Sequence, residues 1–298
     1  MSTLLSSWSK DVNTVPQKFV FPPEERPGDL PAPLCKGLPV IDLQQSGGHH
    51  DRAVINHGVS EELMDDTMSL FKEFIDMPEE DKASYFSDDR SKSFMLFAAS
   101  SNSNLNKKGN VTYWKDSLKH SCHPLEDHIQ SWPEKPARYR EVVGTYSLEV
   151  RKLSLRILDL ISEGLGIEEG YFADELSKTQ ALVVNHYPLC PNPSLVLGVS
   201  GHFDPNLLTI LQQEEYGLQM YKDEQWVGVE PLPHAFVINI ANQLEQWDAK
   251  RAKHRAVTNS SIARTSIVTF IAPSRECVIE PAKALVKSSN PQLFKGVH

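Results

Sequence analysis

The sequence predicts a mixed α and β protein in which helices precede a β-rich core, an antiparallel sandwich or jelly roll. Helix-period patterns fall only in the first 178 residues. From Thr179 the texture changes to short apolar runs separated by turn residues, the pattern of many short strands rather than of crossover helices. The third observation is chemical: His202-Phe-Asp204 lies in the strand-rich part, and His254 and Arg264-Thr-Ser266 follow it.

Residues 1–37 carry the runs Phe21-Pro-Pro-Glu-Glu-Arg-Pro27 and Pro31-Ala-Pro33, which predict an extended, poorly packed arm. Residues 37–43 and 53–58 read as short strands joined through a Gly/His-rich turn at 46–50. Ser60, with Glu61 and Glu62 behind it, is an N-cap followed by an acidic first turn. Leu63, Met64, Thr67, Met68, Leu70, Phe71, Phe74 and Ile75 then keep helical spacing until Pro78. Residues 84–109 are rich in Ser, Asn and Lys and predict a mobile loop. A longer helix runs from near Pro136 to Gly164 or Gly166, with an apolar stripe from Tyr139 to Ile161. Strands are expected over residues 181–187, 207–212, 218–221, 226–229, 235–240, 254–258 and 265–271. The organisation expected is an arm over 1–37, strands and helices over 38–178, and a β core over 179–298.

The bulk composition excludes several classes. A net charge of −9 disfavours a nucleic-acid partner. No apolar run approaches membrane-spanning length, and the N-terminus lacks a basic stretch followed by an apolar one, so a cytoplasmic protein with no membrane partner is expected. Cys35, Cys122, Cys190 and Cys277 are widely separated and predict reduced thiols rather than a disulfide framework.

The histidines and the aspartate carry the chemistry. Residues 202–204 are expected on a strand, where alternation sends His202 and Asp204 to one face and Phe203 to the other. Two imidazoles and one carboxylate form the triad that holds non-haem Fe(II) with positions left open. A hairpin centred near Asn259 would set Arg264 near His254, with Ser266 on the same face. A guanidinium and a hydroxyl beside a metal make an anchor for a carboxylate, and Tyr187 adds a phenol donor. These groups predict a metal and a small dicarboxylate co-substrate. A zinc hydrolase would fit the three ligands but leave Arg264 and Ser266 without a role. His57 reads as structural and His49-His50 as a solvated loop, while Tyr113 and Trp114 divide evenly between pocket lining and core.

The chain resembles the plant 2-oxoglutarate- and Fe(II)-dependent dioxygenases. The resemblance rests on Pro39-Val-Ile-Asp-Leu43, Ile55-Asn-His-Gly58, Asn185-His-Tyr187-Pro-Leu-Cys190-Pro, His202-Phe-Asp204, His254 and Arg264-Thr-Ser266. Tyr113-Trp-Lys-Asp-Ser-Leu-Lys-His-Ser-Cys-His-Pro-Leu125 and Ser131-Trp-Pro-Glu-Lys-Pro-Ala137 resemble its hyoscyamine 6β-hydroxylase-like members in particular. It implies a double-stranded β-helix (jelly-roll) core with flanking N-terminal helices, and His202, Asp204 and His254 as metal ligands. It further implies that Arg264 and Ser266 bind 2-oxoglutarate, with Tyr187 assisting and Asn185 nearby. The reaction implied consumes O2, releases succinate and CO2, and hydroxylates a small plant metabolite, alkaloid-like in kind, through an Fe(IV)-oxo species. Ascorbate as reductant and a monomeric state belong to the same expectation.

Three departures from the family pattern stand beside this. Only eleven residues separate Leu43 from Ile55, where the family has a further helix and strand, about 20 residues more. The connection ahead of His254 is about three residues short, and a one-residue slip would turn that side chain away. The sequence ends at His298, where the family continues with helices that help close the site. The alternative expectation is therefore a catalytically impaired, truncated isoform with a non-enzymatic binding role.

Overall fold

The computed structural model describes residues 4–28, 32–35, 40–44, 53–98, 107–108, 111–247 and 253–279. Strands β1 (Val40–Asp42) and β2 (Ala53–Ile55) are followed by helix α1 (Glu61–Asp76) and the short helix α2 (Glu79–Lys82). Then come β3 (Phe94–Ala98), β4 (Lys107–Lys108), β5 (Val111–Thr112), β6 (Asp116–Ser121), the short α3 (Leu125–His128) and the long α4 (Tyr139–Leu165). The remaining strands are β7 (Thr179–Tyr187), β8 (Leu197–His202), β9 (Leu208–Gln213), β10 (Leu218–Lys222), β11 (Gln225–Gly228), β12 (Phe236–Ile240), β13 (His254–Val257) and β14 (Arg264–Ala272).

The two long helices form where the sequence places them. Ser60 accepts from the Leu63 amide as N-cap of α1, and Gly166 closes α4. Their apolar stripes bury Met64, Met68, Phe71, Phe74, Tyr139, Val143, Tyr146 and Val150 in one cluster with Leu182, Val184, Leu208, Ile210, Ile267 and Ile271 of the sheet behind them. That sheet runs β1-β2-β12-β9-β14-β7-β6-β3, four strands from residues 38–178 and four from 179–298 among those described. A second sheet runs β11-β10-β13-β8. The two face each other: the Tyr187 ring of the larger sheet lies against the backbone of Gly198 in the smaller. Alternation along β14 sends Ile267 and Ile271 to the helix layer and Val268 to the space between the sheets. Arg264 and Ser266 share the parity of Val268, so the same alternation turns both inward.

Three expectations need correction. The arm is extended but not loosely packed: Leu4, Leu5, Phe19 and Phe21 are at most 2% exposed. Phe19 meets Trp114 edge-on at 4.9 Å, and Asp116 accepts from the amides of Leu5 and Ser6, both at 2.8 Å. The predicted loop over 84–109 contains β3, which pairs with β6 from Phe94 to Ala98. Its run Phe-Met-Leu-Phe is buried, as a strand covered on both faces is. Strands β6 and β8 were not expected; Gly198 and Gly201 interrupt the apolar pattern of β8. The turn over 46–50 lies outside the described residues. No disulfide joins the four cysteines, and no described helix is long and apolar enough to cross a membrane.

Candidate metal centre

His202 ends β8, so Asp204 lies beyond the strand and strand alternation does not align the pair. The loop does it instead: Asn242 N–H donates to the Asp204 carbonyl at 2.9 Å and holds the carboxylate between two imidazoles. Asp204 Oδ1 is 3.5 Å from His202 Nε2, and Oδ2 is 3.6 Å from His254 Nε2. His254 opens β13 directly opposite His202, with ring centroids 4.3 Å apart. One ligand atom from each of the three lies within 4.8 Å of the others. These separations are long for hydrogen bonds and suit three atoms facing one centre. His202 Nδ1 is 2.8 Å from the Ser200 carbonyl, which assigns the proton to Nδ1 and leaves the Nε2 lone pair free.

Burial opposes ionisation of Asp204, and the pull of His202 and His254 outweighs it, so its carboxyl sits below the ordinary value. Its Oδ2 is buried without a hydrogen-bond donor. A buried carboxylate oxygen left this way is costly unless a cation meets it. The donor set, two imidazoles and one carboxylate, fits Fe(II).

The anchor forms by a different route from the one the sequence suggested. Strand β13 pairs with β8 and β10, and β14 pairs with β7 and β9, so His254 and Arg264 stand in opposite sheets and not in a hairpin. The chain crosses between sheets at Asn259, whose side chain accepts from the amides of Ser261 and Ile262. Arg264 is in register with Tyr187, its guanidinium 5.1 Å from the ring centroid. Its Nε donates to the Glu215 carbonyl at 3.0 Å and its Nη2 to Gln213 Oε1 at 2.9 Å. Ser266 lies in register with Asn185 and Gln213. Burial pushes the Tyr187 phenol above its ordinary value, against the pull of Arg264 and Ser266. Ser266 Oγ and Gln213 Nε2 are both buried without a hydrogen-bond partner. Such orphaned groups beside a buried guanidinium fit a carboxylate.

Sequence reasoning missed the residues that make room for this anchor. A Cβ at Gly198 would lie 2.4 Å from the Tyr187 ring, and one at Gly217 would lie 2.6 Å from Arg264 Cδ. It also missed Gln213 and the pair Lys115 and Ser117, which both donate to Asn185 Oδ1 at 2.8 Å. Trp114 is core, fully buried, with its indole N–H on the Pro188 carbonyl. The Tyr113 hydroxyl pairs with Ser200 Oγ at 2.8 Å, on the strand that carries His202. His57 is structural: Nε2 is 2.8 Å from the His234 carbonyl and Nδ1 accepts from Val59 N–H.

The impaired-isoform alternative finds no support. Residues 248–252, in the shortened connection, and 280–298 lie outside the described residues, yet His254 is in register with His202 and faces Asp204.

Comparison with known proteins agrees with this geometry. The profile of the 2OG-Fe(II) oxygenase superfamily matches residues 178–273, and that of the non-haem dioxygenase in morphine synthesis N-terminal region matches 52–138. Hyoscyamine 6-dioxygenase of Hyoscyamus niger is 42% identical over 322 aligned positions, covering 99% of this chain and 92% of that one. Protein DOWNY MILDEW RESISTANCE 6 of Arabidopsis thaliana is 38% identical, covering 94% of this chain and 86% of its own. Among solved structures, JOX2 in complex with 2OG, Fe and JA superposes with a TM-score of 0.86 at 30% identity, covering all of this chain and 91% of that one. The chain thus belongs to the 2-oxoglutarate- and Fe(II)-dependent oxygenase superfamily and is a dioxygenase of that family.

Proposed function

We propose that this enzyme hydroxylates a small, largely apolar plant metabolite, alkaloid-like in kind, with O2 as oxidant and ascorbate keeping the iron reduced. His202, Asp204 and His254 hold Fe(II), and Arg264 and Ser266 bind the distal carboxylate of 2-oxoglutarate. Tyr187 and Asn185 border the same keto acid. The observation that carries the reading is the convergence of one ligand atom from each of His202, Asp204 and His254, with an Asp204 oxygen left without a donor and a buried Arg264 facing the same interior.

Bound Fe(II) supplies oxygen activation when the keto acid is present. The chain's own residues do the rest. Arg264 offers a fork of donors held flat by Gln213 and the Glu215 carbonyl, so a carboxylate finds it pre-oriented. Burial of Asp204, Arg264 and Ser266 keeps bulk water from competing for those contacts. The alkaloid-like substrate class rests on the 42% identity to hyoscyamine 6-dioxygenase. A monomer in the cytoplasm, with arm, N-terminal region and core over 1–37, 38–178 and 179–298, completes the reading.

The test is succinate formation from 2-oxoglutarate across a panel of tropane and other alkaloids and phenolic metabolites, with iron content measured in parallel. Wild type should bind about one iron, and His202→Ala should lose both the metal and succinate formation. Full iron retention in His202→Ala would overturn the ligand assignment.

A further inference from the structure

Lys115 is a buried ammonium, 8% exposed, one residue ahead of β6. Its Nζ donates to Asn185 Oδ1 at 2.8 Å, the one hydrogen bond it makes among the described residues. No carboxylate among them pairs with it. An ammonium carries three donors, and taking it out of water costs several kcal/mol unless an anion or further acceptors compensate. Burial lowers its pKa to about 8, which still leaves it mostly protonated at neutral pH.

Its place in the fold says where the missing acceptor belongs. Asn185 is in register with Ser266 on β14 and with Ser117 on β6, so Lys115 reaches the same row as the carboxylate anchor. Both Lys115 and Ser117 donate to the Asn185 oxygen, which fixes the amide and turns its NH2 group away from them. Lys115 and Arg264 are both buried cations and neither has a carboxylate hydrogen-bonded to it among the described residues, which leaves that row short of negative charge.

We propose that Lys115 is a ligand-binding residue of this site, receiving a carboxylate oxygen of a molecule held beside Asn185. This rests on the reading of the site given above. The carboxylate can come from 2-oxoglutarate or from the compound that is oxidised. Arg264 already serves one end of the keto acid, so both sources share one chemistry and are separated by titration.

The experiment uses the full chain loaded with Fe(II) under anaerobic conditions, followed by the absorption band that a chelating keto acid produces. In wild type, Lys115→Met and Lys115→Arg, 2-oxoglutarate is titrated first. At saturating 2-oxoglutarate, cyclic and aromatic monocarboxylates and their methyl esters are then titrated, read by the shift of that band. A rise of tenfold or more in the 2-oxoglutarate Kd of Lys115→Met, recovered in Lys115→Arg, assigns the carboxylate to the keto acid. An unchanged 2-oxoglutarate Kd, with a tenfold acid-over-ester preference in wild type that Lys115→Met loses, assigns it to the second ligand. Equal affinities throughout in a Lys115→Met protein that melts cooperatively would overturn the proposal. Failure of wild type itself to form the band would instead sink the site assignment, and Lys115→Arg guards against misfolding of the Met variant.

Discussion

Gly198 and Gly217 set the space in which the side chains of Tyr187 and Arg264 lie. Each faces a group that a methyl would strike, the Tyr187 ring at 2.4 Å and Arg264 Cδ at 2.6 Å. The Arg264 guanidinium also lies 5.1 Å from the Tyr187 ring centroid, so a ring displaced by a methyl would disturb that contact. Gly198→Ala is therefore expected to weaken 2-oxoglutarate binding about tenfold, or about 1.4 kcal/mol. Anaerobic titration of the Fe(II) enzyme measures it. Combining it with Tyr187→Ala should give less than the sum of the two effects, because the clash then has no partner. An unchanged Kd would mean that the ring moves at no cost. His202, Asp204, His254, Arg264 and Ser266 could be singled out as candidates from the sequence because such side chains at such spacing have a narrow chemical meaning. Gly198, Gly217, Gln213 and Lys115 were not, because each matters only through the strand that folding places opposite it.

The N-terminal arm is the element whose energetic weight the sequence understated. Proline runs predict extended backbone correctly, but extension says nothing about what the intervening aromatics touch. Phe19 is fully buried between Trp8, at 6.0 Å, and Trp114, at 4.9 Å. Phe19→Ala should cost about 3–5 kcal/mol in urea denaturation, as a core cavity does. A loose arm would change stability by only about 0.5 kcal/mol. The helices were legible because Ser60, Pro78 and Gly166 punctuate long 3.6-residue patterns. Strand β3 was hidden by its Ser- and Lys-rich surroundings, and the pairing of β13 and β14 was misassigned because a good turn at Asn259 is equally good for a crossing between sheets.

At the scale of the molecule, the change in texture at Thr179 marked the jelly roll, but nothing local announced that β1, β2, β3 and β6 complete its larger sheet. That shared sheet buries titratable groups at the junction with the helix layer, and they tie global stability to pH. His120 on β6 packs among Phe71, Phe94, Trp132 and Tyr139, and its Nε2 is 2.8 Å from the Tyr139 hydroxyl. Burial holds its pKa at about 3, and holds that of His186 on β7 at about 4. Unfolded imidazole titrates near 6.5, so in the window below that value the folded state binds fewer protons. Stability present above pH 6.5 is lost as the pH falls. Asp116 works against this: burial raises it to about 6, so above that pH its ionised form costs stability, and the cost fades on acidification. Two histidines outweigh one carboxylate, and the net loss between pH 7.5 and 5 is about 2–3 kcal/mol at 1.36 kcal/mol per unit. Urea denaturation at the two pH values measures it. His120→Gln, which keeps a partner for Tyr139, should remove about 2 kcal/mol of that difference. An undiminished difference in His120→Gln would mean that this imidazole takes up its proton inside the folded sheet, and that acid sensitivity arises elsewhere.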